Sequence, residues 1–408
     1  MTKIAAYLVG ALLFCLASVY NFSILPKTQW TLFSKAELNP PPPPPPSLAP
    51  PPPPTVKSTT NRIQIALLLD TSNSMDGLIE QAKSQLWKMV NELADTQKDG
   101  EKPEIEIALY EYGNSNLNAR HGYIRSVVPM TSDMDQVSED LFGLNTNGGE
   151  EYCAWVIKDA LSNLQWSAHT GDLKIIVIAG NESFRQGPIN FREICQAAGQ
   201  RHIIVNTIHC GEYAQGLELS WGEGAKLSGG EYMNINQDDK VVHIATPYDD
   251  KIVQLNNELN RTYIAYGANG EANAAKQLAQ DSNAGTYGLS NVRERASFKS
   301  KKAYKNTAWD LVDAVEEAEI DLVEMEPSVL PEEMQSMTAE ERQEYVEQKS
   351  EERAAIQEQI KILNEKAETY IAKQRREMSQ QQTLDEVLIQ RVLAQAKTKG
   401  FVKEEAGE

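Results

Sequence analysis

Residues 63–77 read IQIALLLDTSNSMDG. The first seven are almost continuously apolar, the composition of a strand covered on both faces of a parallel sheet. A carboxylate, Asp70, ends the run, and an amphipathic stretch at Leu78–Leu93 follows it. Working outward, further strand candidates are Glu104–Tyr112, Ile124–Met130, Leu173–Ala179, Ile203–Ile208 and Glu231–Ile235. Glu151–Leu164, Phe191–Gly199 and Leu217–Leu227 fit helices between them. Alternating strands and helices predict an α/β fold, a doubly wound, mostly parallel sheet with right-handed crossovers. Such sheets bind ligands outside the carboxyl ends of their strands. The loops that matter are therefore those at Asp70, Tyr112, Ala179 and Cys210.

In the first loop, Asp70, Ser72 and Ser74 place one carboxylate and two hydroxyls on alternate residues. Three oxygens so spaced can converge on one hard cation, and Mg²⁺ takes such ligands while keeping waters in its other positions. The alternative is that Ser72 or Ser74 only caps the following helix. At this point Asp70-Thr71-Ser72-Asn73-Ser74 resembles the von Willebrand factor A-domain family, whose metal-ion-dependent adhesion site opens with D-x-S-x-S. The element order through residue 240, including the closing AKLSGGEYMNI, is similar too. The resemblance implies a Rossmann-like fold over 62–240 and a bound Mg²⁺ that receives an acidic side chain from a partner protein. It implies binding rather than turnover.

Two later motifs depart from that pattern. Where a threonine usually follows Gly-Gly, TNGGEEYC supplies Glu150 and Glu151. Where Thr-Asp-Gly is usual, the chain reads Ala179-Gly180-Asn181-Glu182. The expected metal set is thus Asp70, Ser72 and Ser74 with Glu150 or Glu151, for Mg²⁺ or, given the extra carboxylate, Ca²⁺ or Mn²⁺. A glutamate on the metal lowers the positive charge offered to an acidic partner. Both glutamates also suit the first turn of a helix. Thr146 is a weaker source of the missing hydroxyl, Glu111 a strand-end candidate, and His209 reads as a structural histidine. Cys153 and Cys210 fall at the same sheet edge, where a bridge or two reduced thiols are both compatible with the sequence.

Outside this unit, residues 1–30 carry one lysine, Lys3, ahead of a long uncharged stretch, which reads as a signal-anchor helix, with a cleaved signal peptide as the alternative. Residues 31–61 form a Pro-rich spacer; twelve of the nineteen prolines lie in 40–54, enough for a polyproline II rod. Such a start puts the bulk of the chain outside the cytoplasm, tethered by a single pass or secreted after cleavage. Residues 241–330 are expected to be a helical extension, with helices around 247–267 and Trp309, whereas 268–300 show no core pattern. Residues 331–408 make an acidic helical tail, so the sheet is followed by an α-helical C-terminal region. A short heptad seam at Ile356, Ile360, Leu363, Ala367 and Tyr370 favours an intramolecular helical hairpin with Leu384–Ala396 over a long coiled coil.

The net charge is −19, from 58 acidic and 39 basic side chains, and residues 310–408 hold 25 acids against 12 bases. That argues against nucleic acid as the partner. Four cysteines exclude a disulfide scaffold. The leading expectation is a membrane-tethered, non-catalytic protein that binds another protein. The alternatives are a metal-independent assembly component acting through its acidic tail, and a phosphotransferase. The last requires a second aspartate two residues beyond Asp70, where Ser72 stands, and no P-loop is present.

Overall fold

The computed structural model describes residues 61–235, 244–378 and 384–403. The signal-anchor segment and almost all of the proline spacer lie outside the described residues. Among the described residues, no helix is long and apolar enough to cross a membrane.

Six strands form the central sheet: β1 (Arg62–Asp70), β2 (Glu104–Tyr112), β3 (Ile124–Thr131), β4 (Leu173–Gly180), β5 (Ile204–Cys210) and β6 (Tyr232–Ile235). Their order is β3-β2-β1-β4-β5-β6, with β3 antiparallel and every other pairing parallel. The apolar run of β1 serves both faces. Ile63, Ile65, Leu67 and Leu69 face one layer, while Ala66 and Leu68 face the other. On the first face lie α1 (Asp76–Ala94) and α2 (Met134–Phe142). On the second lie α3 (Cys153–Asn163) and α4 (Phe191–Gln200), and on its β5–β6 side α5 (Tyr213–Glu218) and α6 (Trp221–Leu227). The helix expected at Leu217–Leu227 is split, because Ser220 adopts a left-handed φ of 73° between α5 and α6. Asp133 caps α2 by accepting from the Gln136 amide, a start signal passed over in the sequence.

Cys153, Cys195 and Cys210 are buried free thiols. A Cys153–Cys210 bridge does not form, because Cys153 packs into the α3 layer and Cys210 into the α1 layer on the opposite face of the sheet.

Seven helices follow the sheet among the described residues. They are α7 (Asp249–Leu259), α8 (Gly270–Thr286), α9 (Leu289–Lys299), α10 (Leu311–Glu316), α11 (Glu332–Gln335), the 40-residue α12 (Ala339–Met378) and α13 (Leu384–Thr398). The stretch without a core pattern is α8 and α9, and α9 is buried along most of its length. It is buried through charge. Arg295 is fully buried, stacks its guanidinium 4.5 Å from the Trp87 ring, and donates to Asp135 (2.8 Å), Asp281 and the Gln277 carbonyl. Lys299 donates to Asp281 (3.0 Å) and Asn260, and the Tyr304 hydroxyl donates to Asp135 (2.7 Å). Every charge in this cluster meets its opposite, which is what burial of ions demands.

The heptad seam is not spent on a hairpin with α13. Ile356, Ile360 and Leu363 of α12 pack against Ile252, Leu255 and Leu259 of α7 and Ala296 of α9. Instead α13 lies against α1 and β6, where Ile389, Val392, Ala396 and then Phe401 enter the sheet's first hydrophobic layer. Gln395 and Asn206 exchange two buried 2.8 Å hydrogen bonds there, and Val402–Lys403 pair with Thr96–Gln97.

Candidate metal centre at the strand-end edge

At the end of β1, Asp70 is fully buried and its Oδ1 accepts from the Ser72 amide at 2.7 Å, which turns the chain. The hydroxyls of Ser72 and Ser74 lie 3.2 Å apart, and Ser74 Oγ accepts from Asn181 Nδ2 at 3.0 Å. The capping alternative does not hold. Ser72 precedes a short 3₁₀ turn and Met75 precedes α1, and neither position makes a side-chain cap. Around this turn the neighbouring loops are clamped. Thr71 donates its amide to the Tyr112 carbonyl (2.8 Å) and its hydroxyl to Glu111 (3.2 Å), and Asn147 donates to the Thr71 carbonyl (2.9 Å). Glu111 is itself paired with Arg125 at 2.5 Å. It holds the loop and lies outside the donor cluster.

The two candidate glutamates separate cleanly. Glu151 is buried and its carboxyl lies against that of Asp70, both side chains coming within 3 Å of where a Cβ at Gly113 would stand. Glu150 is exposed and accepts from Gln186 Nε2 at 3.1 Å, while Gln186 Oε1 accepts from the Glu151 amide. Burial first, and then the neighbouring Asp70, push the Glu151 carboxyl up to about 9. Asp70 is also raised, mainly by burial, with the charge of Glu182 adding to it. Two buried carboxyls in contact cannot both ionise without a cation, so at neutral pH the pair holds a proton between them.

Two glycines make room for the pair. At Gly113, with φ of 79°, a Cβ would lie 2.6 Å from Asp70 Oδ1 and 2.9 Å from Glu151 Cγ. At Gly180 it would lie 2.5 Å from the Tyr112 hydroxyl and 3.1 Å from Asp70 Oδ2. That hydroxyl donates to the Ala179 carbonyl at 3.0 Å. Tyr112 thus occupies the space beside Asp70 into which a side chain at 180 would project, which accounts physically for the absence of a carboxylate there. Nothing in the sequence around Tyr112 signals this role.

Thr146 turns its hydroxyl to Asp76 rather than to Ser72 or Ser74. His209 lies behind Asn181, its Nε2 3.2 Å from the Asn181 carbonyl and its ring against Trp221.

Among the described residues, no group of three or more His, Cys, Asp or Glu side chains is arranged to hold a metal. The donor set at this edge is different in kind: two carboxyls, two hydroxyls and an amide. Asp70 Oδ2, Glu151 Oε2 and Asn181 Oδ1 are buried acceptor atoms without a hydrogen-bond partner. Unsatisfied buried acceptors are costly. The single proton between Asp70 and Glu151 cannot serve all three, and three such acceptors beside a pair of serine hydroxyls fit a hard cation.

The sheet order matches the doubly wound 3-2-1-4-5-6 pattern with an antiparallel edge, and a D-x-S-x-S turn closes its first strand at the carboxyl edge. The architecture is von Willebrand factor A-like. No family model matches the chain, and no curated protein matches it. Solved structures do. The chain is similar to the conserved hypothetical protein BatB from Bacteroides thetaiotaomicron, at 16% identity over 42% of this chain and 90% of that one, with a TM-score of 0.32. It is similar to the VWA domain of SpRpn10 at 15% identity, covering 44% of this chain and 90% of that one, with a TM-score of 0.33. A third is proximal thread matrix protein 1 from the mussel byssus, described with a zinc-occupied MIDAS motif, at 9% identity over 44% and 43% of the two chains and a TM-score of 0.33.

Proposed function

We propose that this protein is a membrane-tethered, non-catalytic binding protein whose A-type domain engages a protein partner at the strand-end edge, around a divalent cation. The observation that carries the reading is the Asp70–Ser72–Ser74 turn, whose hydroxyls cap no helix and whose neighbours leave three buried acceptors unpartnered. Asp70, Ser72, Ser74 and Glu151 would hold the cation, with Mg²⁺ first and Ca²⁺ or Mn²⁺ as the alternatives that an added carboxylate favours. When bound, the cation supplies positive charge to an incoming oxygen ligand. In the arrangement the A-type family implies, that ligand is a partner's acidic side chain, and Glu151 weakens its attraction by one charge. Gln186 fixes the backbone that presents Glu151, and Gly113 lets the two carboxyls approach. Residues 1–30 supply the tether and the proline spacer the stand-off, with the domain outside the cytoplasm.

Calorimetric titration of the purified full chain with Mg²⁺, Mn²⁺ and Ca²⁺ tests the site. Binding of at least one cation that Asp70→Ala abolishes is the expected result. Absence of heat with all three overturns it in favour of metal-independent assembly through α12. For the tether, alkaline carbonate should leave the protein in the membrane pellet, and its release into the supernatant would refute it.

A further inference from the structure

We infer that the partner presents a basic element, arginine or lysine, to the strand-end edge, in place of the acidic side chain expected from the family pattern. This rests on the reading of that edge as the binding surface and names the chemistry of what it binds. Five loops build the edge: 70–76, 113–123, 143–152, 180–184 and 210–213. Together they carry Asp70, Asp76, Glu150, Glu151, Glu182 and Glu212 against one arginine, Arg120. Asp76, Glu150, Glu182 and Glu212 are exposed, and none of the four takes part in an ion pair among the described residues. Asp76 accepts from Thr146 and Glu150 from Gln186, both neutral donors.

Two of the nearby bases are committed elsewhere: Arg125 is paired with Glu111, and Arg185 donates to the Glu218 carbonyl at 3.0 Å. Arg120, exposed in the 113–123 loop, is outnumbered by the four exposed carboxylates.

Beneath this rim, Asp70 and Glu151 are more than nine-tenths buried and each keeps an oxygen without a partner. The deficit of positive charge therefore runs from the surface into the core. A bound dication does not reverse it: two positive charges cancel Asp70 and Glu151, and the four exposed carboxylates remain. An acidic side chain meets repulsion from all four, whereas a guanidinium or ammonium finds carboxylates to pair with. Aromatic faces stand beside them. Tyr152 is half-buried, close enough to Glu150 to feel its charge, and Tyr213 follows Glu212 directly and is 53% exposed. Carboxylates interleaved with aromatic rings suit a guanidinium in particular.

The test uses the full chain at 150 mM salt with three labelled glycine-serine peptides, identical except for two arginines, two glutamines or two glutamates, read by fluorescence anisotropy with and without Mg²⁺. The two-arginine peptide should bind at least tenfold more tightly than the two-glutamate peptide under both conditions. Glu150→Gln with Glu182→Gln should remove most of that difference. The general acidity of the chain is controlled by Glu340→Gln, Glu344→Gln and Glu347→Gln on α12, which should leave binding unchanged. Tighter binding of the glutamate peptide, or an equal loss in the α12 variant, overturns the inference. Glutamate-peptide binding that depends on Mg²⁺ and on Asp70 would do so while sustaining the edge as a binding site. Absence of cation binding in the calorimetry overturns the metal reading and leaves the arginine preference standing or falling on the peptides.

Discussion

Two buried pairs of carboxylates in this molecule have opposite surroundings. Asp135 and Asp281, where α8 and α9 meet α1 and α2, receive Arg295, Lys299 and the Tyr304 hydroxyl. Asp70 and Glu151, at the end of the sheet, receive one backbone amide and each other, with no cationic side chain among the described residues. The first arrangement satisfies every ion and serves to fasten helices. The second leaves acceptors idle inside the fold, at the one edge where a doubly wound sheet binds ligands. Buried charge is compatible with both, and only the count of opposite charges tells a fastening from a binding site.

The fastening should break first and hardest. Asp281→Ala strands two buried cations and should cost about 3–5 kcal/mol in urea unfolding of the full chain; a loss near zero would mean that α9 is not held by its charges. Acid should weaken the same contact. Burial pushes the Asp281 carboxyl up, but Lys299 and Arg295 outweigh it and hold it well below the usual carboxylate range. Its contribution is therefore whole above the unfolded carboxylate value and is lost as pH falls through the folded one.

A smaller effect is expected beside the metal loop. Gly180→Ala drives a methyl to within 2.5 Å of the Tyr112 hydroxyl and should cost about 1–3 kcal/mol, the range for overpacking. Tyr112→Phe in the same chain should recover part of it. A fully additive double variant would show that the two do not share this space.

The two glutamates separate by their dependence on pH. Glu151, raised to about 9 in the fold from 4.5, must keep its proton where the unfolded chain has released it. Its contribution to stability is present below 4.5 and erodes as pH rises towards 9. Melting temperatures of the metal-free protein between pH 5 and 9 should fall in the parent and flatten in Glu151→Gln. Glu150→Gln, exposed, should stay within about 0.5 kcal/mol of the parent at every pH. If the two variants behave alike, the Asp70–Glu151 contact is not what holds the proton.

The same contrast explains what was legible in the sequence. β1, β4 and β5 announced themselves because strands buried on both faces must be almost continuously apolar. The D-x-S-x-S turn was legible because its donors sit on alternate residues of one loop. α9 was not, since LSNVRERASFK shows no apolar stripe. Its burial depends on Asp135 and Asp281, 160 and 14 positions before Arg295. The choice between Glu150 and Glu151 was equally hidden. Adjacent residues differ in direction rather than composition, and Gly113 and Gln186 set that direction from other loops. Tyr112 could not be foreseen as the neighbour of Gly180, because the strands that carry them meet only across β1.

The return of α13 and Phe401 to the sheet carries a consequence for the making of the protein. The face of β5 and β6 that bears Ile208, Met233 and Ile235 shares its hydrophobic layer with Ile389, Val392, Ala396 and Phe401. During synthesis at about 5–20 residues per second, those side chains wait roughly 10–30 s for Phe401 to emerge. Throughout that interval the growing chain holds a nearly complete sheet with one apolar flank uncovered, and whatever shields that flank must do so before α13 exists.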